Sequence, residues 1–185
     1  TISSDSAGGR QPAVSPCGMW HHAGMRLLPG LSSYRKAPRN PHGLVAIEGE
    51  VERPQSFSYL DLQEIHRYYQ VPDLSLVDER LSGKAVRLRR LLDLVGPVYG
   101  SEFITIESAD GGFSACLPIA EVGRTALVVY ERDGKPLPLD QGGPARFVVP
   151  YYPDACANVK ALGKIVVSRE RGRDTRPSQA AGKPG

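Results

Sequence analysis

The chain has 185 residues, 41% of them hydrophobic and 23% charged, with 20 glycines and 16 prolines. That length predicts one domain with appendages, and the composition fits neither a disordered chain nor a membrane protein. Charge is unevenly spread: residues 1–43 carry five basic side chains against one acid, residues 169–185 five against two, and the stretch between them thirteen against seventeen.

An acidic body with two basic ends is the reverse of a nucleic-acid-binding domain, whose folded surface is itself basic, so no nucleic-acid partner is expected. The ends suit an acidic protein or anionic lipid headgroups, or are simply solvated. The longest apolar runs, such as Ala126-Leu127-Val128-Val129, are too short to cross a bilayer. Three cysteines, Cys17, Cys116 and Cys156, form no C-x-x-C pair, which argues against a zinc ribbon, a thioredoxin-type site and a c-type haem. The first residue is Thr1, so a preceding segment is expected to have been removed, and any export signal with it.

In chain order, residues 1–43 read as an extended arm. Gly8-Gly9, Pro12, Pro16, Pro29-Gly30, Pro38 and Pro41 interrupt every window long enough for a helix. From Leu44, Val45, Ile47 and Val51 alternate with Glu48, Glu50 and Glu52, which predicts a half-buried strand over Leu44–Glu52. Ser58 three residues before Asp61 is an N-cap pattern. Tyr59, Leu62, Ile65 and Tyr69 then follow at helical spacing, and Pro72 closes that helix. A second helix fits Arg89–Val95, stopped by Gly96-Pro97. Phe103–Glu107 and Phe113–Leu117 read as a hairpin around Ala109-Asp110-Gly111-Gly112. Ala126–Glu131, Ala145–Val149 and Lys164–Ser168 are further strands, with Asp133-Gly134 as a turn. Residues 169–185 read as a basic, flexible tail. Many strands and few short helices predict an α+β fold of mixed sheets between extended ends.

The stretch from Gly134 to Val167 is the specific signal. It carries Gly-Lys-Pro-Leu-Pro, then Gly-Gly-Pro-Ala-Arg-Phe-Val-Val-Pro, then Val-Lys-Ala-Leu-Gly-Lys-Ile-Val-Val. Upstream lie a G-x-V-x-x-P opening at Gly49–Pro54, a G-x-x-V-x-L-x-x-L-L segment at Gly83–Leu92 and an S-x-D-G turn at Ser108–Gly111. Together these resemble the molybdopterin-binding domain of the sulfite oxidase family, over residues 44–168. The resemblance implies that family's fold and a molybdenum held by the pterin dithiolene and one cysteine thiolate. It places that thiolate on a loop before the V-x-L-x-x-L-L segment.

Here that loop, Val71–Lys84, holds no cysteine and is short for a metal-binding loop. Ser75 and Asp78 offer oxygen, which does not reproduce a soft thiolate. A histidine frequent before the G-x-P-x-R turn is Gln141, and an aromatic residue after the last lysine is Ala161. Arg146 and Lys160 match basic positions that suit a pterin phosphate, or else pair as scaffold residues with Asp140 or Asp154. Cys116 reads as a small buried thiol in a strand, and Cys156 lies in a loop near the expected pterin edge.

Two readings follow. In the first, the domain is non-catalytic, has no catalytic residues and needs no cofactor. It serves as an accessory or structural subunit of a larger assembly, with a membrane electron-transfer complex on the extracytoplasmic, periplasmic side as one candidate. Its arm docks on protein partners through Met19, Trp20, Met25, Leu27 and Leu28. In the alternative, it is an active molybdenum-pterin oxidoreductase acting on a small oxyanion or sulfoxide, with molybdopterin at Arg146 and Lys160. Cys17, Met19, His21, His22 and Met25 also supply soft and imidazole donors for copper or zinc, without the scaffold that fixes a metal's geometry. His66 and Glu64, two apart on a helix, face different ways and make no acid/base pair. Arg87, Arg89 and Arg90 read as a solvated helix start.

Overall fold

A computed structural model of the chain describes residues 43–177. The expected arm, including Met19, Trp20, Met25, Leu27, Leu28 and the Cys17/His21/His22 cluster, lies outside the described residues.

The first strand, β1 (Gly43–Gly49), buries Val45 and Ile47 and turns Ala46 and Glu48 outward. It ends earlier than the expected Leu44–Glu52 for a steric reason. Gly49 sits at φ +97°, and a Cβ there would collide with the Val167 carbonyl. The chain turns away, and the Glu52 and Arg53 amides donate to the Gly96 and Val95 carbonyls. β2 (Gln55–Ser58) returns antiparallel to β1.

The expected cap is present. Ser58 Oγ accepts from the Asp61 amide, and the Asp61 carboxylate accepts from the Ser58 amide, opening α1 (Tyr59–Glu64). The helix does not reach Pro72. Gln70 Nε2 donates to the carbonyls of Leu62 and Ile65, at 2.7 and 3.1 Å, which satisfies the helix's free C-terminal end. A separate 3₁₀ turn at Arg67–Tyr69 then leads into β3 (Gln70–Val71).

After a 3₁₀ turn at Leu74–Leu76 come β4 (Lys84–Arg87) and α2 (Leu88–Val95), which Gly96 closes in a left-handed conformation. β5 (Phe103–Ser108) and β6 (Ser114–Pro118) form the expected hairpin, and the one-turn α3 (Ile119–Val122) follows. β7 (Leu127–Arg132) turns at Asp133-Gly134 into β8 (Lys135–Pro136). β9 (Arg146–Val148) and β10 (Leu162–Ser168) complete the set.

Two five-stranded sheets result. One runs β2-β1-β10-β5-β6, with β10 parallel to β1 and antiparallel to β5. The other runs β3-β4-β7-β8, with β9 also on β7. The mixed-sheet α+β architecture is as the sequence predicts.

Both sheets contribute to one core. Val45, Ile47, Phe57, Ile104, Ile106 and Ile165 meet Val86, Val128, Tyr130 and Phe147, with Leu88, Leu91 and Val95 of α2 between. The second sheet's other face is covered too. There Ala85, Leu127, Val129 and Val148 pack beneath Leu74, Val77 and Leu81 of the 72–83 loop.

Residues 169–177 are not a free tail. The Thr175 amide donates to the Ser114 carbonyl and the Ser114 amide to Thr175 Oγ1, both at 2.9 Å, along the outer edge of β6. Nothing in the composition of 169–177 marks this docking.

Gly49→Ala tests the close approach of β1 to β10. Both the positive φ and the Val167 carbonyl oppose a side chain, so destabilisation of roughly 3 kcal/mol or more is expected in urea unfolding. An alanine variant of wild-type stability would refute the steric account.

Candidate functional site

The site follows from strand alternation. In β9, Phe147 enters the main core, so its neighbours Arg146 and Val148 point to the second face of their sheet. Arg146 stands opposite Val129 of β7. Its Nε is buried and among the described residues has no hydrogen-bond partner, and burial pulls the guanidinium below its ordinary pKa. A buried donor without an acceptor is costly.

Two adjoining cavities, of about 200 and 260 Å³, share Arg80, Leu81, Arg146 and Val148 in their walls. The smaller adds Ser82, Arg132 and Gln141, and the larger adds Asp78, Tyr151, Tyr152 and Asn158. Arg132 Nη1 donates to Gln141 Oε1 at 2.8 Å. Arg80 clamps Asp78: its Nε and Nη2 reach the two carboxylate oxygens at 2.9 and 2.7 Å, and its amide adds a third bond at 3.1 Å. These bonds hold the Asp78 carboxyl below the ordinary carboxylate range. Tyr151, at φ +57° with an exposed ring, donates its hydroxyl to the Val77 carbonyl and ties the two walls together.

The residues singled out in the sequence are thus divided. Arg146 and Gln141 meet in one cavity. Lys160 does not join them: it is exposed, and its aliphatic stem lies over Gly142. The pairing of Arg146 with Asp140 or Asp154 is not made. Arg146 has no ion pair among the described residues, and Asp154 binds Arg176 Nη1 at 2.8 Å. Asp78 is taken by Arg80, and Ser75 is exposed on the surface turn. Cys116 is buried in β6, where Sγ accepts from the Gly172 amide at 3.3 Å. Cys156 is half-buried in a 3₁₀ turn, Ala155–Ala157, and lines neither cavity. Among the described residues no group of three or more His, Cys, Asp or Glu could hold a metal ion. His66 is exposed and caps the 3₁₀ turn after α1, its Nδ1 accepting from the Tyr68 amide. Arg90 stacks on Tyr69 at 5.3 Å, while Arg87 and Arg89 are exposed.

Sequence reading missed Arg80, Arg132, Tyr151 and Asn158. Arg80 had one local signal, the Asp-x-Arg spacing from Asp78. The others reach the site only through the pairing of β7 with β9 and the fold of the 149–158 loop.

The family is now defined. The oxidoreductase molybdopterin binding domain matches residues 40–175, and the chain belongs to that family. Among solved structures, it is similar to the sulfane dehydrogenase SoxCD from Paracoccus pantotrophus, at 20% identity and a TM-score of 0.56. That match covers 74% of this chain and 41% of the solved one, and supports the fold. No curated protein matches.

The residues present fit one end of molybdopterin and not the other. Arg146, with Arg132 and Gln141 alongside, offers donors to a phosphate. Among the described residues no thiolate borders either cavity, and these residues do not fit a thiolate-held molybdenum.

Replacing Arg146 by an apolar residue separates binding from stability. Arg146→Met removes a half-buried cation with an unmet donor, so a gain of roughly 1 kcal/mol in unfolding free energy is expected. Affinity for inorganic phosphate should fall at least tenfold by calorimetry. A destabilised variant would mean that Arg146 is paired in the folded protein.

Proposed function

We propose that this domain is a non-catalytic member of its family, an accessory or structural subunit of a larger assembly that retains an anion site at Arg146. The observation that carries this reading is the donor set around the arginine cavities. Among the described residues they hold guanidinium, amide, hydroxyl and carboxylate groups but no sulfur, and their one carboxylate is already clamped by Arg80. Soft sulfur is the donor that the metal needs. A fold kept while its chemistry is lost is a familiar outcome, because sites are separable from the scaffolds that carry them.

Docking falls to the N-terminal arm. Trp20, flanked by Met19 and Met25, is a large aromatic beside adaptable side chains, a composition suited to filling a pocket on another protein. Leu27 and Leu28 extend the apolar anchor, and the arm's positive charge draws it to an acidic neighbour. A membrane electron-transfer complex on the extracytoplasmic side is the assembly proposed.

The second reading, an active molybdenum-pterin oxidoreductase, is favoured by one observation: Arg146 lines both cavities, and its guanidinium suits the phosphate of the pterin.

Elemental analysis decides between them. Protein purified from a host that makes the molybdenum cofactor should contain far less than one molybdenum per chain. Near-stoichiometric metal would overturn the non-catalytic reading. Removal of residues 1–40 should leave the body folded by circular dichroism and release it from its partner on co-purification. Full retention of the truncated protein would refute docking through the arm.

A further inference from the structure

The cavity wall is held from outside by the C-terminal segment. Residues 149–158 form a loop whose base is closed by the Val149 amide, which donates to Asn158 Oδ1 at 2.8 Å. Pro150, Tyr151, Tyr152, Ala155 and Asn158 of this loop face the larger arginine cavity. Its tip is Asp154. One oxygen of Asp154 accepts the Cys156 amide at 2.9 Å and the other accepts Arg176 Nη1 at 2.8 Å.

Arg176 joins three elements at once. Its Nη2 donates to the Cys116 carbonyl of β6 at 2.9 Å and to Asp174 Oδ2 at 2.6 Å, while Nη1 takes Asp154. Only 15% of the side chain is exposed. Its guanidinium is thus bound to the loop, the sheet edge and its own segment together. An open cleft of about 550 Å³ is lined jointly by Tyr152, Pro153 and Asp154 of the loop and by Arg171, Asp174, Arg176 and Pro177. Tyr152 borders both that cleft and the arginine cavity, and its hydroxyl donates to Glu121 Oε2 at 2.7 Å. Tyr152 is thus common to the walls of both spaces.

We propose that residues 172–177 act as a clasp. Arg176, a positioning residue, holds the 149–158 wall in place for an anion at Arg146, so engagement of the C-terminal segment and occupancy of the cavity are linked. The part that concerns the anion rests on the reading of Arg146 given above. Linkage is reciprocal: a partner that draws the segment away weakens anion binding, and a bound anion strengthens the clasp.

The full-length chain carries the test, with inorganic phosphate as the probe. Arg176→Gln breaks the contact from the segment. Asp154→Asn weakens it from the loop while keeping an oxygen for the Cys156 amide. Arg173→Gln is the control, since Arg173 is exposed and reaches only the Gly111 carbonyl at 3.3 Å.

Hydrogen–deuterium exchange should speed up across residues 149–158 in the first two variants and stay at the wild-type rate in the control. Phosphate affinity should fall about fivefold or more in each, and the double variant should lose little beyond either single one. Wild-type exchange in that loop in both variants would overturn the clasp, as would equal acceleration throughout the body. Wild-type protein that binds no phosphate, with exchange still local to 149–158, would keep the clasp and overturn the anion reading instead.

Discussion

The position of β10 in the middle of its sheet is the constraint on which the rest depends. Leu162–Ser168 pairs with β1 on one side and β5 on the other, so it welds the start of the body to its centre. Leu162, Ile165 and Val167 are all buried in the main core. Because β10 runs parallel to β1, the two need a crossover connection, and in sequence all the strands of the second sheet lie between them. That excursion carries β9, the 149–158 loop and Gly142, and the arginine cavities are built from what it brings. Gly49 marks how closely the two strands meet: the sheet leaves no room there for a methyl group.

The second sheet is the unusual partner, because both its faces are covered. One face joins the main core, and the other is roofed by the loop of Leu74, Val77 and Leu81. Alternation then sends Arg146 to that second face, where it is half-buried. Its buried Nε needs an acceptor, and among the described residues none supplies one. The nearest carboxylate in the walls, Asp78, belongs to Arg80, and the next loop's Asp154 belongs to Arg176. The two ion pairs that might have neutralised Arg146 are spent elsewhere, and the cavities beside it remain polar.

Much of this was legible in advance. Alternation in Val45 and Ile47, the Ser58–Asp61 cap and the turn glycines located most elements, since each is a local signal. The family motifs led to Arg146 and Gln141. What was not legible came from distance. The end of α1 depends on Gln70 reaching back to Leu62 and Ile65, and nothing at Leu62 announces it. Lys160 falls at a basic motif position, yet its backbone turns it to the surface above Gly142. Arg176 lies in a stretch rich in charge and poor in apolar residues, which reads as solvated tail. Its three acceptors come from separate places in the sequence, and only the folded sheet edge brings them together.

The docked segment has a consequence for the behaviour of the protein in crowded solution. β6 is an outermost strand, and an outermost strand carries a row of free donors and acceptors that can template another chain. Here the Ser114 backbone amide and carbonyl are satisfied instead by Thr175, and the Cys116 carbonyl by the Arg176 guanidinium. These partners are largely side chains, so they fill the hydrogen-bonding positions without extending the sheet by a regular strand. The segment therefore blunts the edge: it leaves a charged, irregular border where a flat strand would have invited edge-to-edge aggregation.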